Sequence, residues 1–218
     1  MAGQGAFGWY GKVPGAGDFL RRGLSPGFLQ GWDRFAQGLL TTARAELGAR
    51  WRGCYLAAPI WRFALAPGLC GPAACAGVMM PSVDRVGRQF PLCLAAEGGG
   101  SLHAAWCAAA PAWEALETAA LAMLDPEAGP GRLEAALAAL PAPGSVAAPA
   151  RALGSARVAE GEQALAALAL GDAGSLWCAA FAGRSRALLC SGLPEGPAEA
   201  AALFDADAPG WPAPEPCA

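Results

Sequence analysis

Gly11-Lys12 is the first pair in the chain whose spacing chemistry could use, because a glycine-rich turn ending in Gly-Lys can cradle a phosphate. The chain has 15 lysine and arginine residues together, and Lys12 is its only lysine. The rest of the phosphate-loop pattern is missing. Ala6 stands where the first glycine belongs, and Val13 where Ser or Thr would hold magnesium. Lys12 is therefore read as a strand-end lysine. Eight cysteines stand at 54, 70, 75, 93, 107, 178, 190 and 217, with no Cys-x-x-Cys among them. Cys70 and Cys75 flank a Gly-Pro turn, but no second pair follows at ligand spacing. His103 is the single histidine. It opens an alanine-rich helical stretch, with no Gly-x-Ser-x-Gly elbow and no Cys-His context to make it a base. Asp18, Asp84 and Glu97 sit at strand ends, too scattered for a glycosidase pair. The expectation is a non-enzymatic protein with no catalytic, cofactor-binding or metal residues.

One group of charges is more specific: Asp84-Arg85-Val86-Gly87-Arg88. It connects two apolar runs at 76–80 and 90–95, each short, continuous and bounded by Pro, Ser or Gly, as buried strands are. Gly87 can supply a positive φ at such a turn without steric cost. Two readings stand side by side. In one, Asp84 pairs with an arginine and fixes the turn, with Arg62 as a possible partner. In the other, the connector is a recognition loop on a rigid hairpin. Arg85 and Arg88 are the candidates for partner binding. Asp18, Trp61, Arg62, Asp84 and Gly87 are the candidates for a structural motif.

Other elements must position this hairpin. Residues 7–13 read as an aromatic strand ending at the turn Pro14-Gly15-Ala16-Gly17. Ser25-Pro26 is a helix start, and Phe28, Trp32, Phe35, Leu39 and Leu47 keep helical spacing up to a stop at Gly48. Residues 54–58 and 61–65 read as two strands around Pro59. In the second, Trp61, Phe63 and Leu65 share one face, while Arg62 points from the other and needs a partner. Gly98-Gly99-Gly100-Ser101 is a break. Helices are expected through Trp113, Leu116, Ala120 and Leu124, at 133–140, at 162–170 and at 197–204, with a proline-rich loop at 141–149. Residues 175–181 and 186–191 read as a strand hairpin. The pattern predicts an α/β fold, one mixed and largely antiparallel sheet with helices on both faces. One domain is expected over 1–208, with a disordered proline-rich tail at 209–218.

Bulk properties narrow the function classes. The 218 residues are 55% hydrophobic and 15% charged, but most of the apolar excess is alanine. Polar residues, Gly or Pro interrupt every run before about 18 apolar residues accumulate, so no membrane insertion is expected. The N-terminus lacks a basic stretch followed by a long apolar one, so no signal peptide is expected and the compartment is read as cytoplasmic. Unpaired, buried cysteines fit that compartment. A net charge of −3 with no basic run argues against nucleic acid as the partner.

GKVPGAGDF at 11–19, PIWRFAL at 59–65, CGP at 70–72 and GVMMPSVDRVGRQFPL at 77–92 together resemble the TagF (ImpM) family of type VI secretion-associated proteins. The segment MPSVDRVGR-x-FPL is the most specific of these. Gly15-Ala16 departs from the family, which usually shows a polar or basic pair there. The resemblance implies a three-layer α/β/α sandwich and a cytoplasmic, non-enzymatic, post-translational repressor of the type VI secretion system. It also implies a partner, a forkhead-associated scaffold protein that the repressor would sequester. The alternatives are a structural or accessory subunit of the apparatus, or a hydrolase of unrecognised mechanism. Oligomeric state is not legible.

Overall fold

The computed structural model describes residues 5–141, 151–153, 156–158, 174–181 and 184–208. Its strands are β1 (Gly8–Gly11), β2 (Leu20–Arg22), β3 (Trp61–Leu65), β4 (Cys75–Met80), β5 (Leu92–Glu97), β6 (Arg151–Leu153), β7 (Ala156–Val158), β8 (Ser175–Phe181) and β9 (Arg184–Cys190). Seven of them form one sheet in the order β2-β1-β5-β4-β3-β8-β9, while β6 and β7 pair separately. Every pairing in the large sheet is antiparallel, which corrects the expected mixed sheet. The reason lies in the connections. β3, β4 and β5 follow one another through loops too short for the crossover that a parallel neighbour needs.

The centre of the sheet is β4, buried along its whole length between β3 and β5. Its register with β5 runs from Cys75 opposite Glu97 to Met80 opposite Leu92. Gly77 is required there, because a Cβ would collide with the Leu94 carbonyl and the Ala95 backbone. The second strand starts at Leu92 rather than at residue 90. Pro91 has no N–H to give the ladder, and Phe90 packs beneath the sheet instead.

Alternation in the strands divides the core in two. Trp61, Phe63, Leu65, Cys75, Met79 and Cys93 pack with α1 (Pro26–Leu47), α2 (Trp51–Ala57) and a late helix at Pro197–Phe204. Ala64, Ala76, Val78, Leu92 and Leu94 pack with α3 (Leu102–Ala109), α4 (Trp113–Ala122) and α5 (Pro130–Ala138). The late helix is α6 in chain order. α1 begins as its sequence dictates: the Ser25 hydroxyl accepts from the Phe28 N–H at 3.2 Å, and Pro26 takes the first helical position. Its buried stripe places Trp32 over Phe63 and beside Trp177, with ring centroids 4.7 and 6.3 Å away. Trp61 closes the same core by donating its indole N–H to the Leu203 carbonyl of α6 at 2.7 Å.

Residues 54–58 are not a strand; they lie in α2 and at its C-terminal cap. Trp51 and Tyr55, four apart, are its buried positions, while Leu56 between the two faces is 60% exposed. A run of five small and apolar residues does not reveal its own period, and the partners of Trp51 and Tyr55 decide it. Residues 20–22, unassigned as a strand in the sequence, form the edge strand β2. The expected helix at 162–170 and the tail at 209–218 lie outside the described residues, as does nearly all of the loop at 141–149. No helix among the described residues is long and apolar enough to cross a membrane.

Candidate functional site

Asp84 organises the connector between β4 and β5. A bridge between Val83 and Gln89 closes the base of the loop. Above it, the Asp84 N–H donates to the Arg88 carbonyl at 3.0 Å, and the Gly87 N–H to the Asp84 carbonyl at 2.8 Å. Gly87 adopts φ 82°, the left-handed region that glycine enters without a Cβ penalty. The Asp84 carboxylate then fills the loop from inside. Its Oδ1 accepts from the N–H groups of Val86 at 3.1 Å and Arg88 at 2.8 Å. Its Oδ2 accepts from Arg88 Nε at 2.6 Å and faces Lys12 Nζ at 3.1 Å.

Asp84 is only 2% exposed. Burial by itself would push its carboxyl up; the Arg88 N–H, Lys12, the Arg88 guanidinium and the Val86 N–H outweigh that and hold it well below the ordinary carboxylate range. Lys12 is buried as well. It is the residue that sequence reasoning missed, since a strand-end lysine is ordinarily solvated. Its signal was its position: the only lysine in the chain, directly before the Pro-Gly turn of the GKVPGAGDF segment. Its ammonium also lies over the Phe19 ring, 5.0 Å from the centroid.

A second loop is fastened to the first. The Arg85 N–H donates to the Ala16 carbonyl at 2.9 Å, and Arg88 Nη2 donates to the Gly17 carbonyl at 2.8 Å. Asp18, next along, accepts from the Phe19 N–H at 2.8 Å and so shapes its own turn rather than joining Asp84. Phe19 stacks on Tyr10 at 5.5 Å and meets Phe90 edge-on at 4.8 Å. Tyr10 in turn donates its hydroxyl to Asp33 at 2.6 Å, and burial and that bond both push the phenol up. Arg85, Arg88, Asp84 and Gly87 are therefore together, with the turn of Asp18 beside them.

Trp61 and Arg62 are elsewhere. Arg62 does not pair with Asp84. It holds Glu117 of α4 with Nε at 2.6 Å and Nη2 at 3.0 Å, a forked ion pair that is half-buried on the other face of the sheet. The pairing of Arg62 with Val78, in the middle of β4, aims it at α4 and away from the loop beyond Met80. His103 approaches Cys107 Sγ at 3.5 Å, one helical turn along α3. Burial pushes that thiol up, against the thiolate that nucleophilic chemistry needs. Cys70 is likewise pushed up to about 12 by burial. Among the described residues, no three His, Cys, Asp or Glu side chains gather as ligands. A groove of about 670 Å³ lies between α4 and α5, lined mostly by Ala, Leu and Met with Glu114 and Arg132, and none of the residues singled out in the sequence lines it.

Residues 8–140 match the model of the TagF N-terminal domain, type VI secretion system-associated, and both loops lie within that match. No curated protein matches the sequence. The chain is similar to the crystal structure of PA0076 from Pseudomonas aeruginosa PAO1, at 34% identity and a TM-score of 0.76, over 98% of this chain and 100% of that one. With more than half of its length inside the family model, and a solved relative matched along its whole length, the chain belongs to the type VI secretion-associated TagF family.

Proposed function

We propose that this protein is a cytoplasmic, non-enzymatic repressor that blocks assembly of the type VI secretion system by sequestering a forkhead-associated scaffold protein. The observation that carries this reading is the family match over 8–140, which spans the whole loop pair organised by Asp84. The architecture supports it: a carboxylate fully occupied with holding a loop is unavailable as a general acid or base, and what the loop offers outward is arginine. In this reading the loop that carries Arg85 and Arg88 recognises the partner, while Asp84, Gly87 and the turn of Asp18 hold that loop in place. Residues 1–208 act as one domain, with the two packed faces of the sheet forming a three-layer sandwich.

Sequestration works by mass action, so repression should scale with the ratio of this protein to its partner. Full-length protein used as bait in the native cytosol should retain the forkhead-associated scaffold, and deletion of the gene should raise secretion. A deletion that abolishes secretion would instead make it a structural subunit of the apparatus. Hydrolysis of phosphoesters or esters, lost on altering Asp18 or Asp84, would make it an enzyme.

A further inference from the structure

The loop pair around Asp84 is held by backbone groups, the Asp84 carboxylate and Arg88, and the side chains of Arg85 and Val86 make none of those bonds. Both backbones are fixed by the bonds from Arg85 to Ala16 and from Arg88 to Gly17. Val86 at the tip is 71% exposed, more than any other large apolar side chain among the described residues. Arg85 beside it is exposed, and no described carboxylate forms an ion pair with it. Its guanidinium lies along the neighbouring loop, where a Cβ on Gly17 would stand 3.2 Å from Nη2. Phe19 on that loop is 38% exposed although its ring is fixed by Tyr10 and Phe90. Arg88 is different. Its Nε is committed to Asp84 and its Nη2 to Gly17, which makes it a positioning residue for the tip.

The charges of the patch are unbalanced. Asp84 is the one described carboxylate in an ion pair with Lys12 and Arg88, and Arg85 has none, which leaves a positive excess among these ion pairs on a chain whose net charge is −3. A fixed apolar tip loses little entropy when it is covered, and an unpaired arginine can hold a carboxylate through two parallel bonds. We infer that Arg85, Val86 and Phe19 form a docking patch for an acidic protein segment with an apolar side chain among its Asp and Glu residues. Val86 and Phe19 take the apolar group, Arg85 takes a carboxylate, and Arg88 keeps the tip in place. This deepens the proposed function by giving the chemistry of the captured segment, and it rests on the reading of the protein as one that binds a protein partner.

The test uses the 15N-labelled full chain and two synthetic peptides, Glu-Asp-Leu-Glu-Asp and its uncharged counterpart Gln-Asn-Leu-Gln-Asn, both with blocked ends. The acidic peptide should shift the amide signals of Gly17, Val86 and Gly87. Binding should weaken at least about tenfold for the uncharged peptide, for Arg85→Glu and for Val86→Asp. The melting temperature of Arg85→Glu should stay at the wild-type value; if that variant loses its fold, Arg85→Gln decides the matter. No shifts, shifts centred elsewhere, or equal binding of the two peptides would overturn the inference. A parallel arm measures capture of the forkhead-associated scaffold. Capture undiminished by Arg85→Glu overturns the docking patch. Absence of capture by the wild type, with the peptide result intact, overturns only the choice of that scaffold as partner.

Discussion

At the scale of single residues, the Lys12–Asp84–Arg88 cluster sets a fully buried carboxylate between two cations. A buried carboxylate facing two cations is costly to break from one side only, because Lys12 would remain buried without a counter-charge. Asp84→Asn should lower the melting temperature by on the order of 5–10 °C, and Lys12→Met in the same chain should restore part of the loss. The pH dependence has a definite sign. The folded carboxyl is held below its ordinary value of about 3.9, so the unfolded chain binds the proton more tightly than the native one. The stabilisation is complete above that value and is lost as the pH falls towards the depressed one. The stability gap between wild type and Asp84→Asn, measured by denaturant titration, should be full near pH 6 and narrow below about pH 4. Arg62 and Glu117 form a smaller, half-exposed pair. A double-mutant cycle should give a coupling of about 1 kcal/mol between them, and none between Arg62 and Asp84.

At the scale of elements, α2 and the β4–β5 hairpin are joined at two points: Trp51 Nε1 donates to Gln89 Oε1 at 2.7 Å, and the Tyr55 hydroxyl meets Ser82. Tyr55 donates to the Ser82 carbonyl at 2.7 Å and accepts from the Ser82 N–H at 3.0 Å, all of it buried. Ser82 stands two residues before Asp84, so this contact anchors the root of the charged loop. Tyr55→Phe keeps the ring in its cluster with Trp51 and Phe204 but leaves the Ser82 N–H without its acceptor. The expected cost is about 1–3 kcal/mol, with faster hydrogen exchange at Ser82 as the local readout. Unchanged exchange there would mean that the hairpin holds its root without the Tyr55 hydroxyl. The N-terminus of α1 is braced in a similar way, since Glu97 at the end of β5 accepts from both the backbone and the hydroxyl of Ser25 at 2.6 Å.

At the scale of the whole molecule, two cores share one sheet, and β4 contributes to both. A change that separates β4 from β5 should therefore unfold both faces together. Gly77→Ala is such a change: the new methyl group would meet backbone atoms, which cannot rotate away. The variant should either fail to accumulate in soluble form or melt far below the wild type. Gly38→Ala, in the exposed part of α1 with open space around it, should stabilise slightly, by about 0.5–1 kcal/mol. Calorimetry on the two variants distinguishes a requirement for close packing from a general preference for glycine.

What the sequence determined by itself was local. Ser25-Pro26 set the start of α1, the apolar runs at 76–80 and 90–95 set the central strands to within two residues, and Gly87 set the turn, because each depends on neighbours within a few positions. The family, too, was legible, since its most specific segment is contiguous. The tertiary structure decided everything that needed two distant segments. It gave Arg62 to Glu117, 55 positions away, because the placement of α4 over the sheet follows from packing rather than from any pattern along the chain. It turned residues 54–57 into helix, because Tyr55 has its hydroxyl partner at Ser82 and its ring partner at Phe204. It also drew Lys12 inside, because only when β1 lies against β5 does the end of the one strand reach the carboxylate beyond the other, where a buried cation has its counter-charge.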